Sequence, residues 1–276
     1  VLYPKGRVTP LQERQIAGLG GNIDAIAVEG SFDDCQRLVK TALGDAELNR
    51  RFALSSANSI NIARLVPQAV YYAAAAGRLK SRRADAPFVF SVPSGNLGNL
   101  TAGMYAMKMG APIDRFVAAA NSNTAFTDCL ATGNYAPRAT VATISNAMDV
   151  GAPSNFERLI SHWNIDELRR MILGVSISDE VTKAAIGTVF RDHGYVLDPH
   201  SAVGWQALTE LSESGALEGG TFVALATAHP AKFQHIVEPI TGPVTPPRCL
   251  EEAMGRTVAS VTIPPDFQAL NAVLSE

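Results

Sequence analysis

Apolar positions along this chain alternate between two periods. Short apolar runs at Val1–Tyr3, Ile23–Val28, Phe88–Val92, Phe116–Ala120 and Phe222–Ala226 have strand length, and Arg51–Ser55 fits the same template. Between them, apolar residues recur every three to four positions, as on one face of a helix. That spacing predicts helices from Thr9 or Pro10 through Ile16 to the Gly20-Gly21 stop, from Phe32 to Leu43, and from the polar joint Ser56–Asn61 to Ala76. Further helices are predicted from Leu97, with Leu100, Met104, Met107 and Met109 as the inward face, and from Asn121–Thr124 and Asn155. Two more run from Ser178 to His193 and from Pro199 to about Ser214. Ser31 is placed as an N-cap with Asp33 and Asp34 in the first turn, and Pro199 suits a first helical turn.

Nearly every strand is followed by a helix, so the pattern predicts an α/β protein with a mostly parallel sheet. Its ligands are expected at the carboxyl ends of the strands. The first fifty residues make a βαβα unit too small for the independent three-layer domain it suggests. Val1 opens as a strand already in progress, without an initiator methionine, and the expectation is that the chain begins inside a domain.

The densest signal is FVFSV-PSGNLGN-LTAGM, residues 88–104: a buried strand, a joint with two glycines and two asparagines, and a helix. Gly95 and Gly98 let the backbone turn and approach a ligand without a Cβ. The N–H groups of Gly95, Asn96, Leu97, Gly98 and Asn99 then open a helix whose dipole favours an anion, with the Asn96 and Asn99 amides as further donors. The alternative is an ordinary strand-to-helix joint. Neither the Walker A nor the dinucleotide fingerprint is present. A second polar joint, SSANSIN, carries Asn58, Ser59 and Asn61, with Arg64 one or two turns on. It reads either as capping or as a second anion site.

Composition narrows the rest. The 276 residues are 47% hydrophobic with a net charge of −3 and no basic run, which argues against a nucleic-acid surface. No run is long and apolar enough to span a bilayer and no signal peptide is evident, so a cytoplasmic protein without membrane contact is expected. Cys35, Cys129 and Cys249 are scattered and odd in number, and neither they nor the five histidines have metal-site spacing. No metal is expected.

Taken in order, VLYPKGRVTPLQERQ, VEGSFDDCQRLV, SANSINIARLVPQ, PSGNLGN, AMDVGAPSNFERL, DPHSAVG and ATAHPAKF resemble the threonine synthase family across essentially the whole chain. That resemblance implies pyridoxal 5'-phosphate as cofactor. The implied fold is the tryptophan-synthase-β-like fold type II, made of two three-layer αβα domains. On it, residues 1–52 would be the remainder of a small, incomplete domain, and residues 53–276 the large one with the phosphate loop at 94–99.

The resemblance further implies cofactor-phosphate binding at Gly95, Asn96, Leu97, Gly98 and Asn99, and a hydrogen bond from Thr227 to the pyridine nitrogen. It gives Asn58, Ser59 and Arg64 to the phosphate of O-phospho-L-homoserine, with Asn96 between the two phosphates. Asp198, His200, His229 and Lys232 receive no catalytic role. The lysine that holds the cofactor as a Schiff base lies, in the family, upstream of Val1, and none of Lys5, Lys40, Lys80, Lys108, Lys183 or Lys232 has its surrounding sequence. No catalytic residue is therefore assigned, and the chain alone is expected to be inactive. The implied reaction converts phosphohomoserine and water to threonine and phosphate, in a monomer or homodimer. Two other readings stand beside it: another fold-type-II lyase, such as a dehydratase or sulfhydrylase, and a non-catalytic α/β module that binds a phosphate ligand.

Overall fold

The computed structural model describes residues 1–82 and 87–275 and divides the chain into two compact units. The first unit takes Val1–Ser56 together with Thr245–Glu276. In it, β1 (Leu2–Pro4) leads to α1 (Pro10–Ala17), then β2 (Ile26–Val28), α2 (Phe32–Gly44) and α3 (Ala46–Phe52). Thr9 closes a reciprocal capping box with Gln12, and Ser31 one with Asp34, which fixes where α1 and α2 begin.

The second unit, Ala57–Val244, carries the larger sheet. Along it run α4 (Val66–Arg82), β3 (Phe88–Pro93), α5 (Gly98–Lys108), β4 (Arg115–Ala120), α6 (Ala125–Thr132), α7 (Phe156–Ile160), α8 (Ile165–Met171) and β5 (Ile172–Ser176). These are followed by α9 (Asp179–His193), α10 (Pro199–Glu213), β6 (Thr221–Ala224) and α11 (Gln234–Thr241). The chain then returns to the first unit with α12 (Arg248–Met254), β7 (Val261–Ile263) and α13 (Phe267–Ser275).

Both sheets are parallel, in the orders β1-β2-β7 and β5-β4-β3-β6. Strand alternation sends side chains to opposite faces, and each face is covered. In the larger unit Phe90, Val92 and Phe116 pack with Tyr72 of α4 and Leu100 and Met104 of α5. Val89, Val117 and Ala119 face Val203 and Ala207 of α10 instead. Phe90 and Phe116 are fully buried, each stabilising the fold by roughly 1.5–3 kcal/mol relative to exposure. In the smaller unit Ile26 and Val28 face Leu38 and Leu270, while Ala25 and Ala27 face Tyr3 and Ala17. This is the three-layer α/β arrangement the alternating pattern predicts.

Several sequence expectations are corrected. Arg51–Ser55 is no strand: Asp45 caps α3 by accepting from the Glu47 and Leu48 N–H groups, Leu48 is buried, and the helix runs through Phe52 before Ala53 turns left-handed at φ 47°. The α4 helix starts at Val66 and continues past Ala76 to Arg82. Met109 lies beyond α5 and is 72% exposed, so it is no part of the inward face. The C-terminal residues, expected in the large domain, join the small unit because β7 hydrogen-bonds beside β2, Ile26 opposite Val261. β5 and β7 had no counterpart in the sequence reading.

Candidate anion site at the strand ends

The PSGNLGN joint leaves the carboxyl end of β3, the sheet's third strand, and enters α5. The left-handed residue that makes the turn is Leu97, at φ 61°, rather than either glycine. A bulky residue there is uncommon and strained, and it is held because the Leu97 side chain is buried in the aromatic core. No side chain caps α5, so its first backbone N–H groups have no side-chain acceptor of the capping kind.

The glycines also make room within this chain. A Cβ on Gly95 would sit 2.7 Å from Met148 Cα and 3.0 Å from the Ala147 carbonyl oxygen. One on Gly98 would meet Ser59 Cβ at 3.0 Å. Their missing side chains admit other parts of this chain.

Asn99 is oriented by two hydroxyls. Tyr72 donates to its side-chain oxygen at 2.7 Å and Tyr71 donates to the same atom. The amide nitrogen is thereby left as the outward end of the group. Burial pushes the Tyr71 phenol up to about 12 and raises that of Tyr72 strongly, so both are hydroxyl donors at neutral pH.

The second joint lies against the first. Asn96 Nδ2 donates to Ser59 Oγ at 2.8 Å, and Asn96 Oδ1 accepts from Ser154 N and Oγ at 2.7 and 3.0 Å. Asn155 Nδ2 donates to Ser59 Oγ at 3.1 Å and to the Asn96 carbonyl at 2.9 Å. Ser59 Oγ in turn donates to Asn58 Oδ1 at 3.2 Å. The Ser59 hydroxyl is thus fully engaged as a tie, and one Asn96 N–H is spent on it.

Arg64, exposed in the 3-10 turn Ile62–Arg64, curls back and donates to the Ala57 carbonyl. Among the described residues no carboxylate pairs with it. Arg158 similarly donates to the Ile60 carbonyl, fixing the other side of the joint. Ser154, Asn155 and Arg158 were missed as site residues; their only sequence signal is the polar density of SNFER after a Pro-interrupted stretch.

Thr227 lies exposed three residues past β6, at the same carboxyl edge of the sheet as the β3 joint. His229 caps the 3-10 turn Pro230–Phe233, its Nδ1 accepting from Ala231 N at 3.2 Å, and Lys232 sits in that turn. Asp198 and His200 are buried at the start of α10. Among the described residues no cluster of ligating side chains could hold a metal ion, and no helix is long and apolar enough to cross a membrane.

Comparison with known proteins shows what the chain is similar to. A family model described as pyridoxal-phosphate dependent enzyme matches residues 1–228, and one described as threonine synthase, C-terminal, matches residues 201–274. Threonine synthase of Haemophilus influenzae is 43% identical over 280 residues, which cover 99% of this chain and 64% of that protein. The crystal structure of threonine synthase from Escherichia coli superimposes with a TM-score of 0.89 at 40% identity, over 99% of this chain and 63% of that one. A pyridoxal-phosphate-bound threonine synthase from Brucella melitensis gives a TM-score of 0.84 at 34% identity, over 99% of this chain and 64% of that one. The chain thus spans somewhat under two thirds of the length of these relatives. With its two parallel sheets and these matches, the chain belongs to the pyridoxal-phosphate dependent enzyme family, and over nearly its whole length it is similar to threonine synthases.

Proposed function

We propose that this chain supplies two adjoining phosphate sites of a threonine synthase, one for the cofactor and one for O-phospho-L-homoserine, in a protein that yields threonine and phosphate. The observation that carries this is the Ser59–Asn96 hydrogen bond of 2.8 Å, which ties the two anion-facing joints side by side. A substrate whose leaving group is a phosphate needs such a pair next to the reacting carbons. An amino-acid lyase with an uncharged leaving group needs only the first.

The residues fit pyridoxal phosphate. The joint from Pro93 to Leu100 contains no acidic side chain, and α5 presents uncapped N–H groups at its positive end. Gly95, Asn96, Leu97, Gly98 and Asn99 would hold the cofactor phosphate. Thr227 would offer a neutral hydroxyl to the pyridine nitrogen. When bound, the cofactor supplies an electron sink for proton removal from an amino-acid substrate. The chain's own part is orientation and charge: Arg64 provides the cation for the substrate phosphate, Asn58 and Ser59 shape the joint, and Asn96 spans the two anions. No lysine of this chain is assigned as the cofactor's covalent anchor.

Arg64→Ala tests the division of labour, by calorimetric titration with each ligand. Phosphohomoserine affinity is expected to fall about ten- to a hundredfold, the loss of a charge-assisted contact of roughly 1.5–3 kcal/mol, with pyridoxal-phosphate affinity unchanged. A variant that loses the cofactor and keeps the substrate overturns the assignment.

A further inference from the structure

The sequence DPHSAVG, at the start of α10, forms a buried polar cluster that the two phosphate sites do not use. Asp198, His200 and Ser201 are 1%, 3% and 3% exposed. Asp198 Oδ1 accepts from His200 N and faces His200 Nδ1, both at 2.9 Å, and Ser201 Oγ donates to Asp198 Oδ2. The far side of the ring carries the information. Ala147 N–H points at His200 Nε2 at 3.2 Å, so Nε2 is the acceptor and Nδ1 holds the proton that Asp198 receives.

Ala147 lies in the 3-10 turn Asn146–Met148, the backbone against which Gly95 packs so closely that a Cβ would fall 2.7 Å from Met148 Cα. Met148 itself is 3% exposed, packed with Val89 and Val203. One turn further along, α10 is fixed to the strand that feeds the joint: Ser91 Oγ donates to the Gly204 carbonyl at 2.6 Å. A rigid path therefore runs from Asp198 through His200 and the Ala147 N–H to the wall behind Gly95.

We propose that His200 is a positioning residue for the phosphate cradle, acting through the Ala147 N–H and the 147–148 backbone on Gly95. It rests on the cradle reading above. His200 does not touch the phosphate; it sets where the first turn of the joint stands.

The test compares His200→Asn, which keeps an amide facing Asp198 but has nothing at the Nε2 position, with His200→Gln, whose side-chain oxygen reaches that position. For both variants and the parent chain, affinities for pyridoxal phosphate and for pyridoxal, which lacks the phosphate, are measured by fluorescence titration. Amide hydrogen exchange of segments 94–99 and 145–149 is followed alongside. In His200→Asn, pyridoxal-phosphate affinity should fall about tenfold and both segments should exchange faster, with pyridoxal affinity unchanged. His200→Gln should return both readouts to within about threefold of the parent. Equal losses for the two ligands, no rescue by glutamine, or unchanged exchange at 94–99 overturns the proposal and leaves the cradle standing. A parent chain that does not discriminate pyridoxal phosphate from pyridoxal overturns the cradle reading itself, and this proposal with it. His200→Gln also keeps the test decisive if His200→Asn fails to fold.

Discussion

Ser59 Oγ accepts hydrogen bonds from Asn96 Nδ2 at 2.8 Å and from Asn155 Nδ2 at 3.1 Å, joining its own segment to two others that lie 37 and 96 residues away in sequence. One hydroxyl therefore holds the loops of both proposed phosphate sites in register.

Ser59→Ala removes that acceptor and leaves two amide groups, one of them on the fully buried Asn155, without it. A stability loss of about 1–3 kcal/mol is expected, read as a lower urea midpoint at unchanged m-value. A loss below a few tenths of a kcal/mol would mean that the tie is redundant.

Alanine at the two glycines should separate their roles. At Gly95 the new methyl meets backbone, Met148 Cα at 2.7 Å, which cannot move aside without shifting the turn. Overpacking of this kind costs about 1–3 kcal/mol. At Gly98 it meets the Ser59 Cβ at 3.0 Å, a less severe approach than the one at Gly95. Denaturation should rank Gly95→Ala well below Gly98→Ala; the reverse order would show the Ser59 joint to be the stiffer wall.

Acid stability should carry a contribution from Asp34. Its carboxylate accepts from Ser31 N at 2.8 Å and Ser31 Oγ at 2.7 Å, with Arg37 at 3.1 Å, and is held down at about 2. Because the folded form prefers the charged state, this stabilisation is complete above about pH 4 and disappears as the pH falls toward 2. The side chain is about one third exposed, so water screens the effect to less than about 1 kcal/mol. Asp34→Asn should flatten the acid limb of the melting temperature between those pH values and lower the plateau above it.

Thiol chemistry should single out Cys249. It is exposed, whereas Cys35 and Cys129 are buried, and burial pushes the Cys35 thiol up to about 11 and raises that of Cys129. Iodoacetamide at pH 8 should add one carbamidomethyl group rapidly, at Cys249 by peptide mapping, with the other two reacting only on unfolding. Rapid double labelling would contradict this burial.

Legibility in the sequence followed the range of the interaction that made each feature. β3 and β4 could be read because Phe88–Val92 and Phe116–Ala120 are covered on both faces, so every residue but Ser91 is apolar. The helix starts at Ser31 and Thr9 are local and could be read from residue type, whereas their reciprocal capping boxes appear only in the structure. β7 is three residues whose only reason to be a strand is β2, more than 230 residues earlier, and half of its surface stays exposed at Val261. Arg51–Ser55 read as a strand, but its first two residues belong to the helix that Asp45 caps. At the site, the glycine pair was legible as a close approach, but its partners Met148 and Ser59 were not, since nothing local says what a missing side chain makes room for. Leu97 carried the turn because buried packing outweighs the left-handed penalty of roughly 1–2 kcal/mol.

The pair of tyrosine hydroxyls on Asn99 Oδ1 has a consequence for which ions the joint tolerates. A carboxamide free to rotate serves cations and anions alike, oxygen to one and nitrogen to the other. With its oxygen claimed twice, the Asn99 group is held in one orientation by two phenols, one of them in the aromatic core. On the cradle proposed above, the mouth of α5 is therefore rectified, its Asn99 amide held with the nitrogen end free for an anion.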